Sequence, residues 1–171
     1  GFYGSYYNLN QLVFDAFDAP VSIIGIFFGA SYAVNAMAYI AADFFSSRFG
    51  KRNTMLGSML IEAGLFIILP WFASNPLCLF GLSMVLCFLP EVVYITSENL
   101  IQDAIADDLR ATILSVASLV RALFSAMFFS IFGHVLGLYP IQIALGIIGA
   151  IAIAITAVVS LKMVGIQVSK N

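Results

Sequence analysis

The sequence predicts an all-α membrane protein, a polytopic helical bundle of five full transmembrane helices plus a partial one. Two observations carry this. Residues A, V, I, L, M, F, W, Y and C make up 62% of the 171 and charged residues only 9%, against about 45–50% and about 25% in a soluble domain. The charges are also absent in long blocks: none from Ala19 to Ala42, only Glu62 from Asn53 to Pro90, and none from Ala122 to Leu161. A spanning helix needs about 20 apolar residues. These blocks lack the alternation of an outer-membrane barrel strand, and helices are the other way to satisfy a backbone in lipid. The composition excludes an ordinary globular enzyme and a disordered tail. A formal net charge of −2 with no basic patch excludes a nucleic-acid binder. The lipid bilayer is the first partner expected.

Residues 1–17 read as the last turns of a truncated helix and an extracytoplasmic loop, with Phe2, Tyr3, Tyr6, Tyr7, Leu12, Val13 and Phe17 as its apolar residues. The chain opens at Gly1 without an initiator Met and reads as a piece of something longer, so no signal peptide is expected. The first full span is 20–42. The next block folds back at Ser74-Asn75-Pro76, with Trp71 as an interfacial anchor, giving spans at 53–73 and 76–97. The last block would be about 60 Å long as one helix. It breaks at Gly137-Leu138-Tyr139-Pro140 into spans at 110–136 and 140–162. Residues 98–109 form an acidic loop carrying Glu98, Asp103, Asp107 and Asp108.

With five spans, Arg48, Lys51, Arg52, Arg110, Lys162 and Lys170 fall on one side and the opposite loops hold only Asp15 and Asp18. The basic side is cytoplasmic by the positive-inside rule, which places the C-terminus there and the protein in the cell membrane. Cys78 and Cys87 are about 13 Å apart along one helix, too far to bridge. They read as small apolar side chains, and with one His in the chain no metal site or cofactor is expected.

Two cytoplasmic segments carry a family resemblance. Ala42-Asp43-Phe44-Phe45-Ser46-Ser47-Arg48-Phe49-Gly50-Lys51-Arg52 resembles the signature loop of the major facilitator superfamily. Arg48, Gly50 and Arg52 match it; Asp43 and Ser47 stand where its first Gly and its Asp would be. Glu98 to Gln102 and Asp107-Asp108-Leu109-Arg110-Ala111-Thr112-Ile113-Leu114-Ser115 resemble the stretch joining the tenth and eleventh helices of many bacterial members, with Gly133 near the far end of the eleventh. The resemblance implies half of a major facilitator fold, from the end of helix seven through helix twelve. It implies a secondary active transporter that moves a small solute by alternating access and whose N-terminal half is missing from this chain. Without it, Asp107 and Asp108 read as caps for a helix start and Arg110 as a snorkelling residue.

Three charges lie inside spans: Glu62, Glu91 and Arg121. Ser83, Cys87, Glu91, Tyr94 and Glu98 recur on one helical face, as do Ser118, Arg121 and Ser125, and Tyr32, Asn35 and Tyr39. The third face adjoins the small residues Gly25, Gly29, Ala33 and Ala36, with Ile23, Phe27 and Val34 pointing to lipid. The first, third and fourth spans thus offer polar faces; the second and fifth read as outer supports. The expected cavity residues are Glu91, Arg121, Asn35, Tyr32, Tyr94 and Ser118, with Arg121 binding an anionic group or holding Glu91 ionised and Glu91 able to carry a proton. The competing reading is a structural ion pair of Arg121 with Glu62 at equal depth. His134 reads as an interfacial residue. A membrane enzyme would need a nucleophile with a base, paired acids or a metal cluster, and none is visible. The alternative to a transporter is a structural or partner-binding membrane subunit.

Overall fold

Proline, glycine and asparagine set where the helices stop and start. The computed structural model describes residues 6–106 and 109–168; Phe2, Tyr3, Asp107, Asp108 and Lys170, which carry sequence expectations, lie outside them. Helix α1 runs Tyr6–Ala16 and is followed by a turn at Asp18, whose φ is +53°. Pro20 precedes α2, Val21–Phe49. Gly50 alone separates α2 from α3, Lys51–Phe72, with φ +82° and ψ 145°. That backbone region is essentially reserved for glycine. Asn75 caps α4, Pro76–Ala104, and its Oδ1 accepts from the N–H groups of Leu77 (2.9 Å) and Cys78 (3.3 Å). Pro76 takes the first turn, where its missing N–H costs nothing. Helix α5 spans Arg110–Leu138 and α6 Ile141–Val168, with Tyr139 and Pro140 between them.

Five of these helices are long and apolar enough to cross a bilayer. Two expected boundaries move. The signature segment is no loop: helix continues through Phe49 and resumes at Lys51. The acidic segment is also mostly helical, since α4 carries Glu98 and Asp103 before ending at Ala104. Charge marks where a helix leaves lipid, not where its hydrogen bonding stops, so both helices project beyond the apolar block.

The main core joins Leu9, Val13 and Phe14 of α1 to Phe27, Phe66, Leu79, Leu86 and Leu145, all buried. The second span was expected outside, yet α3 packs against α2, α4 and α6 and buries Thr54, Ser58 and Glu62 at four-residue spacing. Gly149 of α6 makes the closest approach: a Cβ there would lie 2.6 Å from Ile67 Cγ1 and 2.9 Å from the Ala63 carbonyl oxygen. Helix α5 is different. Its spanning window buries no residue inside the chain, Phe132 being its one buried side chain, and it touches α6 sparingly.

The faces of α2 are the reverse of the expectation. Phe27 is fully buried, 4.8 Å centroid to centroid from Phe14, and shares its face with buried Ser31, Ala38 and Ala42. Tyr32 is 70% exposed, and Gly25, Gly29, Ala33 and Ala36 are not buried either. When lipid is the solvent, apolarity no longer tells an inward face from an outward one.

Candidate functional site: an arginine cluster between two clefts

Arg121 sits eleven residues into α5, about 16 Å from its start. The Arg121 guanidinium forms an ion pair through Nη1 with Oε1 of Glu98 on α4. Its Nη2 donates to Ser118 Oγ at 3.2 Å, one turn back on α5. Its Cζ lies 4.9 Å from the centroid of the Tyr94 ring, a cation–π contact. Tyr94 and Glu98 share a face of α4 because they are four residues apart, so one arginine meets both. The side chains of Arg121 and Glu98 are 26% and 15% exposed, a degree of enclosure at which an ion pair is screened far less than at a surface.

This corrects both expected pairings. Arg121 pairs with neither Glu91 nor Glu62. Glu98 lies about 9 Å from the end of α4, whereas the Arg121 backbone lies about 16 Å from the start of α5; the long arginine side chain reaches back along its own helix. Counting Cα positions placed the charge one to two turns too deep. Glu91 is half-buried on α4. Glu62 is fully buried in α3, and neither of its carboxylate oxygens has a hydrogen-bond partner among the described residues. Asn35 is half-buried with Oδ1 likewise unpartnered among the described residues, while Tyr32 faces outward.

Two clefts flank the cluster. A polar one of about 410 Å³ lies between α2 and α4, lined by Tyr39, Asp43, Tyr94, Glu98, Asn99 and Gln102. An apolar one of about 560 Å³ lies between α5 and α6, reaching Met59 of α3, and Arg121 is its one charged lining residue. Arg121 and Glu98 therefore form the partition: one partner lines each cleft. Sequence reasoning named Arg121, Tyr94 and Ser118, and put Tyr39 and Glu98 on polar faces, but missed Asp43, Asn99 and Gln102. The signal for Gln102 was the polar four-residue rhythm of α4, Tyr94 to Glu98 to Gln102, which continues past the expected end of that span at residue 97.

Nearby features complete the picture. Lys51 Nζ and Asp103 Oδ2 are 2.5 Å apart, tying the start of α3 to the end of α4. Cys87 is buried and accepts from Asn10 Nδ2 at 3.4 Å, a contact that anchors α1 on α4; both cysteines are free. His134 lies on α5 near its far end, exposed. Arg48, in the last turn of α2, and Lys162, six residues before the end of α6, are exposed, and Arg52 and Arg110 are partly buried. No group of three His, Cys, Asp or Glu is placed to hold a metal among the described residues.

Comparison with protein-family models, with characterised proteins and with solved structures finds no match to this chain.

Proposed function

We propose that this chain is the carboxy-terminal half of a secondary active transporter of the major facilitator type, moving a small solute by alternating access. The observation that carries the reading is the meeting of polar side chains from three apolar helices, Tyr39 of α2, Tyr94 and Glu98 of α4, and Ser118 and Arg121 of α5. Ionisable groups at such depth are expensive, and by default they mark a solute or ion pathway. The packing supports it too. Helix α5 is joined to α4 by this polar cluster more than by close backbone packing, so the ion pair is a contact that α5 can make and break as the halves rock about a site between them. Under this reading Arg48, Gly50, Lys51 and Arg52 form the cytoplasmic signature turn, and the missing amino-terminal half covers the exposed faces of α2 and α5.

The test has two parts. The reading frame upstream should encode six further spans and a second Gly-Asp-Arg-Gly segment. The full gene product in proteoliposomes should then show solute flux in an uptake and efflux panel run with and without a proton gradient. Arg121→Ala should lower that flux at least tenfold with the protein still folded. Flux indifferent to Arg121→Ala overturns the site. A complete panel without flux, with the protein instead retained in a stable complex, favours a structural membrane subunit.

A further inference from the structure

The apolar cleft between α5 and α6 is long and charged at one end. Its α5 wall runs from Val120 to Val135 and its α6 wall from Ala144 to Val159. Each covers sixteen residues, fifteen rises of 1.5 Å, so about 22 Å. The antiparallel pairing puts Val120, Arg121 and Val159 at one end. Everything beyond Arg121 is aliphatic, aromatic or thioether: Phe124, Met127, Ile131 and Ile148 among others. Such a trough is complementary to one alkyl chain, and its terminal guanidinium to an anion on that chain.

We infer that the α5–α6 cleft holds a single-chain amphipathic carboxylate of the fatty-acid type, whose head group takes Arg121 in exchange for Glu98. Charge conservation explains the exchange. Arg121 and Glu98 together are neutral, so a second carboxylate at the guanidinium leaves one buried negative charge too many, which is costly. Glu98 already lines the polar cleft between α2 and α4. It can turn into that cleft and be solvated there while Arg121 stays over the Tyr94 ring. The ligand and Glu98 are thus competitors for one cation. This inference concerns binding and does not rest on transport.

The full gene product, purified in detergent, is to be offered palmitate, hexadecanol or dipalmitoyl phosphatidylcholine, with bound species read by native mass spectrometry. One palmitate per chain is expected, retained at least tenfold better than hexadecanol. Arg121→Gln should lose that preference, and Glu98→Gln, which removes the competitor but keeps a polar side chain, should tighten palmitate binding severalfold. Met127→Trp, which narrows the trough from an exposed position, should weaken palmitate and hexadecanol together. Equal retention of palmitate and hexadecanol, a phospholipid or second copy as the occupant, or Glu98→Gln weakening palmitate would each overturn the inference. Solute flux without palmitate retention overturns this inference alone; palmitate retention without flux overturns only the transport reading.

Discussion

Tyr94 contributes a ring rather than a hydroxyl to the arginine cluster. The guanidinium carbon of Arg121 is 4.9 Å from the ring centroid, a contact worth roughly 0.5–2 kcal/mol depending on how dry it is. Tyr94→Leu should therefore lower stability in detergent by an amount in that range, measured by thermal unfolding, while Tyr94→Phe, which keeps the ring, should match the parent. Equal losses from both would show that the hydroxyl matters instead. Gly50 is a second residue whose role is set by geometry alone. With φ +82° and ψ 145°, any side chain there is strained by about 1–3 kcal/mol, although a Cβ would touch nothing within 4 Å. Gly50→Ala should show that loss in the same assay. At this scale the sequence was legible where chemistry is rare. Arg121 stands out among so few charges, and its partners had to lie on polar faces. Which acid it meets was not legible, because a flexible side chain several ångströms long decides between Glu91 and Glu98, and residue counting follows only the backbone.

Helix positions were readable because lipid demands length and uninterrupted backbone hydrogen bonding; Pro20, Asn75-Pro76 and Tyr139-Pro140 each end or begin a helix where a breaker stands. Helix faces were not. Phe27 was expected to meet lipid and is buried, while the small residues of α2, expected at a helix contact, lie mostly outside. Small residues did mark a contact elsewhere, between α3 and α6, where Gly149 lies against Ala63 and Ile67. In lipid, close van der Waals packing replaces the hydrophobic effect as the force between helices, so this contact tests its own importance. Gly149→Ala should destabilise the bundle by about 1–3 kcal/mol, the usual cost of overpacking. Gly146→Ala, one turn away with open space around its α-carbon, should stay within about 0.5 kcal/mol. Chemical denaturation of the two variants in the same detergent checks the contrast. The Lys51–Asp103 bridge is a weaker link. Its side chains are 35% and 60% exposed, so Lys51→Ala should cost less than about 1 kcal/mol and lose its effect in high salt.

For the whole molecule, the basic residues set an orientation that the helix order makes testable. Helices α2 to α6 follow one another with at most five residues between them, so the end of α2, the start of α3, the end of α4, the start of α5 and the end of α6 share one side. Arg48, Lys51, Arg52, Arg110 and Lys162 sit at or near those ends. Lys51 beside Asp103 shows two of the ends meeting. The turn at Ser74 and Asn75 is on the other side, free of Lys and Arg. The positive-inside rule predicts that the first side is the cytoplasmic one. The two free cysteines allow a clean background, Cys78→Ala with Cys87→Ala, in which a single new thiol reports its side. Ser47→Cys places it beside Arg48 and Ser74→Cys in the opposite turn; both positions are exposed. In intact cells a membrane-impermeant maleimide should label Ser74→Cys and spare Ser47→Cys, and lysis should expose the latter. The reverse pattern would invert the orientation and put the polar cleft between α2 and α4 on the outer face. Labelling of both from outside would mean that α3, which lies between the two positions, does not cross.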